Sequence, residues 1–284
     1  MGATGRKTGI VLAADMTAAT AFQAIARGCL RQFHHSATPL AHSDDPEALH
    51  QARVALRRLR SALAMFKPML RDDRYEPLRE ELKWLATTLG VARNIDVFVM
   101  QLGDAPHPRA LFAARRKAHA QARAALTSSR ADRLLRDLSK WLTSGDWLND
   151  PETSTLRDEP AAQRARFILD RLWKRLKRRG RDLAELDDDH RHRARIEAKK
   201  LRYAADFFDA LYDGKTAKRR KKAFGKAIEA LQDSLGDLND LTLAPALRAE
   251  FSIAGMASKQ ARRRLLAKAE RRYDRLMTIK RFWR

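Results

Sequence analysis

The sequence predicts an all-α fold: two four-helix bundle halves from an internal duplication, related by a pseudo-two-fold. Three observations predict it. Apolar residues recur at three- and four-residue intervals through long segments, as in Leu78, Leu82, Leu85 and Leu89, the stripe that a bundle helix buries. No stretch alternates Val, Ile or Thr with polar residues as a half-buried strand would. The pattern His50–Phe66 returns as His192–Phe208, 142 residues on, and a repeat constrains architecture before any single element does.

Residues 1–13 read as a flexible N-terminus, and 14–284 as a single domain of two halves, about 14–143 and 161–284, joined by a linker at 144–160. The first helix covers Ala14–His35, with Phe22, Ile25, Cys29 and Phe33 on one side. Ser43, Asp44 and Asp45 are candidate caps for the second helix, which ends near Pro68–Arg71. The third helix carries the leucine stripe. Pro106 and Pro108 mark entry to a fourth at His107–Ser128, and Ala131–Leu142 extends it or forms a short extra helix. Residues 144–160 hold Gly145, two prolines and many Asp, Ser and Thr residues, the composition of a connection; Trp147 and Leu148 within it are expected to pack on a neighbouring helix. In the second half, Ala161–Arg181 ends in a dense basic run. Asp187–Asp189 precede the next helix as charges that suit its dipole. Phe224, Ile228, Leu231, Leu235 and Leu238 form another stripe, and a last helix runs from about Met256 to the end.

The repeated segment has chemistry of its own. On a helix of ~3.6 residues per turn, Leu49, Ala52, Leu56, Leu59, Leu63 and Phe66 fall on one arc and His50, Arg53, Arg57, Arg58 and Arg60 on the opposite one. In the second copy His192, Arg195, Lys199, Lys200 and Arg202 take the places of those five. The echo continues as Leu89-Gly90 followed by Arg93-Asn94-Ile95-Asp96, and 146 residues later as Leu235-Gly236 followed by Asn239-Asp240. These paired motifs resemble the CHAD family, the conserved histidine α-helical domain, over nearly the whole chain from about Ala14. The resemblance implies a stand-alone helical domain that binds inorganic polyphosphate, located in the cytoplasm, at polyphosphate granules or at the nucleoid. Asn94 departs from the family pattern, which has Asp there.

Composition agrees. A formal net charge of +23 and a pI near 10.8 oppose compaction by self-repulsion, which a polyanion relieves. Cys29, the single cysteine, excludes an internal disulfide and suits a reducing cytoplasm. The apolar run Ile10–Ala14 is too short for a signal peptide, Arg6 stands where myristoylation needs Ser or Thr, and no stretch approaches a membrane span. No membrane partner is expected, and the sequence sets no oligomeric state.

Phosphate oxygens need many donors in fixed geometry, which Arg supplies as a planar fork and Lys as a point charge. The expected site is therefore His50, Arg53, Arg57, Arg58 and Arg60 with His192, Arg195, Lys199, Lys200 and Arg202, lining a shared cleft or pore and binding polyphosphate without catalysis, cofactor or metal. The histidines either donate to phosphate or sit partly buried as structural groups. The alternative is a nucleic-acid backbone binder, with weak RNA or DNA association as the minor form, although the sequence offers no aromatic platform for base readout. A metal-dependent phosphohydrolase is the third reading, and it lacks a carboxylate cluster beside the cations. Gly214-Lys215-Thr216 is no P-loop, because Asp209 stands at the required first glycine and no strand precedes it. The E-x-E-x-K signature of triphosphate tunnel enzymes is absent.

Overall fold

Helices account for every long element of the chain in this computed structural model, which describes residues 10–103, 108–253 and 259–284 and, for 242–247, the backbone alone. Residues 1–9 of the segment 1–13 read above as a flexible tail, and Pro106, His107 and Met256, read as helix entry and helix start, lie outside the described residues. Leu12 of that segment is buried in the core, so its last residues are not a free tail. Among the described residues there is no β-strand. The chain divides into two compact units, the first ending at Ala161 and the second beginning at Ala162.

The first unit holds α1 (Ala18–Ala37), α2 (Pro46–Phe66), α3 (Tyr75–Leu102), α4 (Arg109–Leu126), α5 (Ser129–Ser144) and the single turn α6 (Ser154–Asp158). Thr17 caps α1 and Asp45 caps α2 by accepting the Glu47 N–H at 2.8 Å. α2 packs on both α1 and α3. All six residues of its expected apolar arc are buried, and so are Phe22, Ile25, Cys29 and Phe33 of α1 and the four leucines of α3. α5 is a helix in its own right because the Ser128 hydroxyl accepts the Ala131 N–H and starts a new one. Among its described residues the first unit therefore holds five long helices, the extra-helix alternative for Ala131–Leu142 and one more than a four-helix bundle.

Residues 144–160 fold as short turns belonging to this unit and do not run as an open linker. Trp147 is fully buried, with its ring 5.5 Å from Phe22 and 5.7 Å from Trp141. Asp72 accepts from the Trp141 indole at 2.6 Å. The Ala18 N–H donates to Glu159 O, and the Ala161 N–H donates to Met16 O. Trp147 thus packs on neighbouring helices as its sequence context led one to expect, and covering its apolar surface draws the otherwise polar segment into the unit.

The second unit holds α7 (Ala161–Arg179), α8 (Asp188–Phe207), α9 (Lys215–Glu250) and α10 (Lys259–Thr278). Asp187 caps α8 through the His190 N–H at 2.7 Å. The five apolar residues of the α9 stripe are buried. The last helix ends at Thr278, short of the expected C-terminus. Beyond it Phe282 and Trp283 turn into the core against Phe224, with ring centroids 5.6 and 5.3 Å away. Asp170 anchors this end by accepting from Arg281, the Trp283 indole and Arg284.

Candidate functional site

The cationic residues of α2 form a row at three- and four-residue steps: His50, Arg53, Arg57 and Arg60, all half-buried. Arg53 reaches across α3, where its Nη1 donates to Ala86 O at 3.0 Å. It can do so because residue 90 is glycine; a Cβ there would stand 2.4 Å from that nitrogen. This ties the Leu89-Gly90 signature to the basic motif: the glycine is the space the guanidinium occupies. Burial pushes the His50 pKa below its ordinary value; Arg93, Arg57 and Arg53 push the same way and Glu47 opposes them. Burial also lowers the Arg60 pKa, with Arg79 adding to it and Glu80 opposing. Arg93 is a member of this cluster that sequence reasoning missed, although its place three residues after Gly90 was the available signal.

Arg58 does not belong to the cationic face. It is only 5% exposed and donates toward the Cys29 sulfur of α1. Burial pushes that thiol up to about 11, against the lowering influence of Arg58. The correction has a simple cause. Ala55, Arg58, Ala62 and Met65 form one row of α2, and its three apolar members are buried. Alanines let α1 approach closely, so the buried arc is wider than the large apolar residues alone define, and it takes Arg58 with it.

On α8 the corresponding row is His192, Arg195, Lys199 and Arg202. His192 is exposed, and its ring Nδ1 lies 3.1 Å from Asn239 Oδ1. Arg202 donates to Gln232 Oε1 and Glu229 Oε1, each at 3.2 Å. Burial raises the Asp240 pKa, while the bond from Asn239 and the nearby Arg195 and Lys199 lower it. Lys200 sits off the row, with its ammonium 3.1 Å from the buried Glu197 carboxylate. The motif histidine thus feels the same signature position in both units, through the charge of Arg93 in one and a direct contact with Asn239 in the other.

Two further residues hold the first unit's site in place: Asp96, which closes the first Leu-Gly echo but was not read as a site residue, and His119, which no motif marks. Asp96, buried at the end of the Leu-Gly signature, accepts from Arg115 Nε at 2.7 Å and His119 Nε2 at 3.0 Å, both on α4. The other ring nitrogen of His119 faces Asp44 at 3.5 Å, just before α2, and Arg123 also pairs with Asp44. Asn94, the departure from the family pattern, is exposed on α3. Among the described residues, no three His, Cys, Asp or Glu side chains are grouped to hold a metal ion, and no helix is long and apolar enough to cross a membrane.

The profile of the CHAD domain matches residues 24–249, a span that contains both basic rows and both Leu-Gly signatures. This chain belongs to the CHAD domain family. Among solved structures, the CHAD domain from the plant Ricinus communis is 30% identical and superposes with a TM-score of 0.75 over 98% of each chain. PptA from Streptomyces chartreusis shares the fold at 18% identity and a TM-score of 0.55, over 93% of this chain and 96% of its own. No curated protein matches the chain. The family match ends at 249, so α10 and the aromatic C-terminus of this CHAD domain lie outside it.

Proposed function

We propose that this CHAD domain binds inorganic polyphosphate, without turning it over, through the α2 row His50, Arg53, Arg57 and Arg60 and the α8 row His192, Arg195, Lys199 and Arg202. The observation that carries the reading is the recurrence of one cationic row, with the same residue steps, on an accessible helix flank in each unit. Side chains at such steps originate about 5–6 Å apart, a spacing that follows a chain carrying one charge per phosphate. The net charge of +23 supplies the long-range attraction. Each exposed ion pair is worth only ~0.2–1 kcal/mol, so affinity comes from number and from counterion release.

The test is competition on the immobilised protein at physiological salt. Long-chain polyphosphate is expected to displace RNA at matched phosphate concentration, and equal displacement in both directions would overturn the ligand assignment. Phosphate release during the same incubation would overturn the non-catalytic part. One observation favours the nucleic-acid reading. Phe167 of α7 is 55% exposed, with the Arg164 and Arg171 guanidinium groups 5.5 and 5.7 Å from its ring. An exposed ring can stack a base, so Phe167→Ala should weaken RNA alone if that reading holds.

A further inference from the structure

α8 and α9 run antiparallel, since His192 meets Asn239 and Arg202 meets Glu229. The row of α9 that faces the α8 cations includes Glu229 and Asp240: Glu229 pairs with Arg202, and Asp240 lies near Arg195 and Lys199. Followed toward the helix start at steps of three and four, the same row continues as Lys226, Lys222, Arg219 and Lys215, past the level where α8 ends. All four are exposed, and among the described residues none of them makes an ion pair. Their neighbours Lys218 and Lys221 do, with Asp213 and Asp209.

This row is costly for the helix. Like charges at these steps repel, the start of a helix is the positive end of its dipole, and the first turn of α9 has no acidic residue. Packing does not require the arrangement. At the same distance before the other Leu-Gly pair, the first unit has Asp73, Glu76 and Glu80 where the second has Arg219, Lys222 and Lys226. Those two glutamates are ion-paired with Lys67, Arg79 and Lys83. A phosphate chain laid on α9 removes both repulsions at once.

We propose that Lys215, Arg219, Lys222 and Lys226 extend the α8 row into one track for a linear polyanion, so the second unit binds long chains over both helices. The inference rests on the polyphosphate reading and deepens it. At 1.5 Å per residue the α9 segment is about 16 Å long and the His192–Arg202 row about 15 Å. A short oligophosphate fits within one segment, and only a long chain reaches both.

The test replaces all four residues with Gln and titrates the full-length chain with long-chain polyphosphate and with tripolyphosphate at several salt concentrations. Long-chain affinity is expected to fall about tenfold or more when four ion pairs are removed. The slope of log affinity against log salt should fall by about three, at ~0.7 per neutralised phosphate on a single strand. Tripolyphosphate affinity should stay within about twofold. The melting temperature should hold or rise, because the repulsion is gone. An unchanged long-chain affinity and slope overturns the extension while leaving the polyphosphate reading standing, provided Arg195→Gln with Lys199→Gln still weakens binding. If that pair has no effect either, both fall. An equal loss for the two ligands overturns the track, because the α9 residues would then be a separate site of their own.

Discussion

At the scale of single residues, the cationic face divides by burial, and the variants should divide with it. Arg57→Glu is expected to leave the melting temperature near wild type and to cut long-chain polyphosphate affinity about tenfold. Arg58→Glu puts a carboxylate into the α1–α2 contact at a position 5% exposed. It should cost about 3–5 kcal/mol, a large part of the ~5–15 kcal/mol that holds a typical domain, and thermal denaturation of the pair distinguishes the two outcomes. Both arginines look alike in the sequence; the alanines on either side of Arg58 decide the difference. His50 gives a pH signature. Its folded pKa lies below the ordinary 6.5, so the unfolded state protonates first as pH falls. Stability is then unaffected above about 6.5 and is lost on acidification from there down through the folded value. A bound polyanion offsets Arg53, Arg57 and Arg93 and lifts the histidine pKa, so binding takes up a proton and tightens over the same pH range. Calorimetry in two buffers of different ionisation heat measures that proton. The uptake should fall in His50→Gln, and an uptake unchanged in that variant rules out His50 as an acceptor.

At the scale of elements, the two Leu-Gly glycines are alike in sequence and unlike in surroundings. A Cβ at Gly90 collides with the mobile end of Arg53, whereas at Gly236 it meets nothing within 4 Å. Gly→Ala in a helix interior gains roughly 0.5–1 kcal/mol. Gly90→Ala should therefore keep or slightly raise the melting temperature while displacing Arg53 and weakening ligand binding; Gly236→Ala should raise stability and leave binding alone. A loss of binding in both would detach the effect from Arg53. Leu59→Asp and Leu201→Asp, at positions with no exposure, should each unfold their unit, as read by circular dichroism. Helix identity, the leucine stripes, the Asp45 cap among its three candidates and the acidic start of α8 were legible because periodicity and helix-end chemistry are local properties; that Asp187 is the capping residue itself came only with the structure. The Ser128 break between α4 and α5 was legible as one of two alternatives, whereas the folded 144–160 segment and the inward turn of Phe282 and Trp283 were not. Each depends on which distant apolar surface needs covering: Trp147 closes over Phe22, more than a hundred residues away in sequence, and no local pattern records such a partner. The Asp96–His119–Asp44 network was hidden for the same reason, since three residues from three segments meet only after α4 packs on α3.

At the scale of the whole molecule, one chain carries two cationic rows on two units, and the proposed ligand is itself a repeating chain. On that proposal, a polyphosphate long enough to engage both rows is expected to bind as a bivalent ligand. Its second contact then forms at the high effective concentration that a tether sets, and apparent affinity exceeds that of either row. Tripolyphosphate is then expected to engage one row at a time and to gain nothing from the other. Neutralising Lys199, Lys200 and Arg202 on α8 therefore should weaken long chains far more than it weakens tripolyphosphate held at the Arg53–Arg60 row. Lys200 is the least sensitive of the three, because its ammonium already faces Glu197 at 3.1 Å, and restoring it alone should recover little. The salt slope for long chains should drop by ~0.7 for each α8 cation that no longer meets a phosphate, while the slope for tripolyphosphate at the α2 row stays put. Titrations with both ligands at several salt concentrations give affinities and slopes together. If both ligands lose the same factor, the rows act as independent surfaces, and the advantage of carrying two of them on one chain is statistical rather than cooperative.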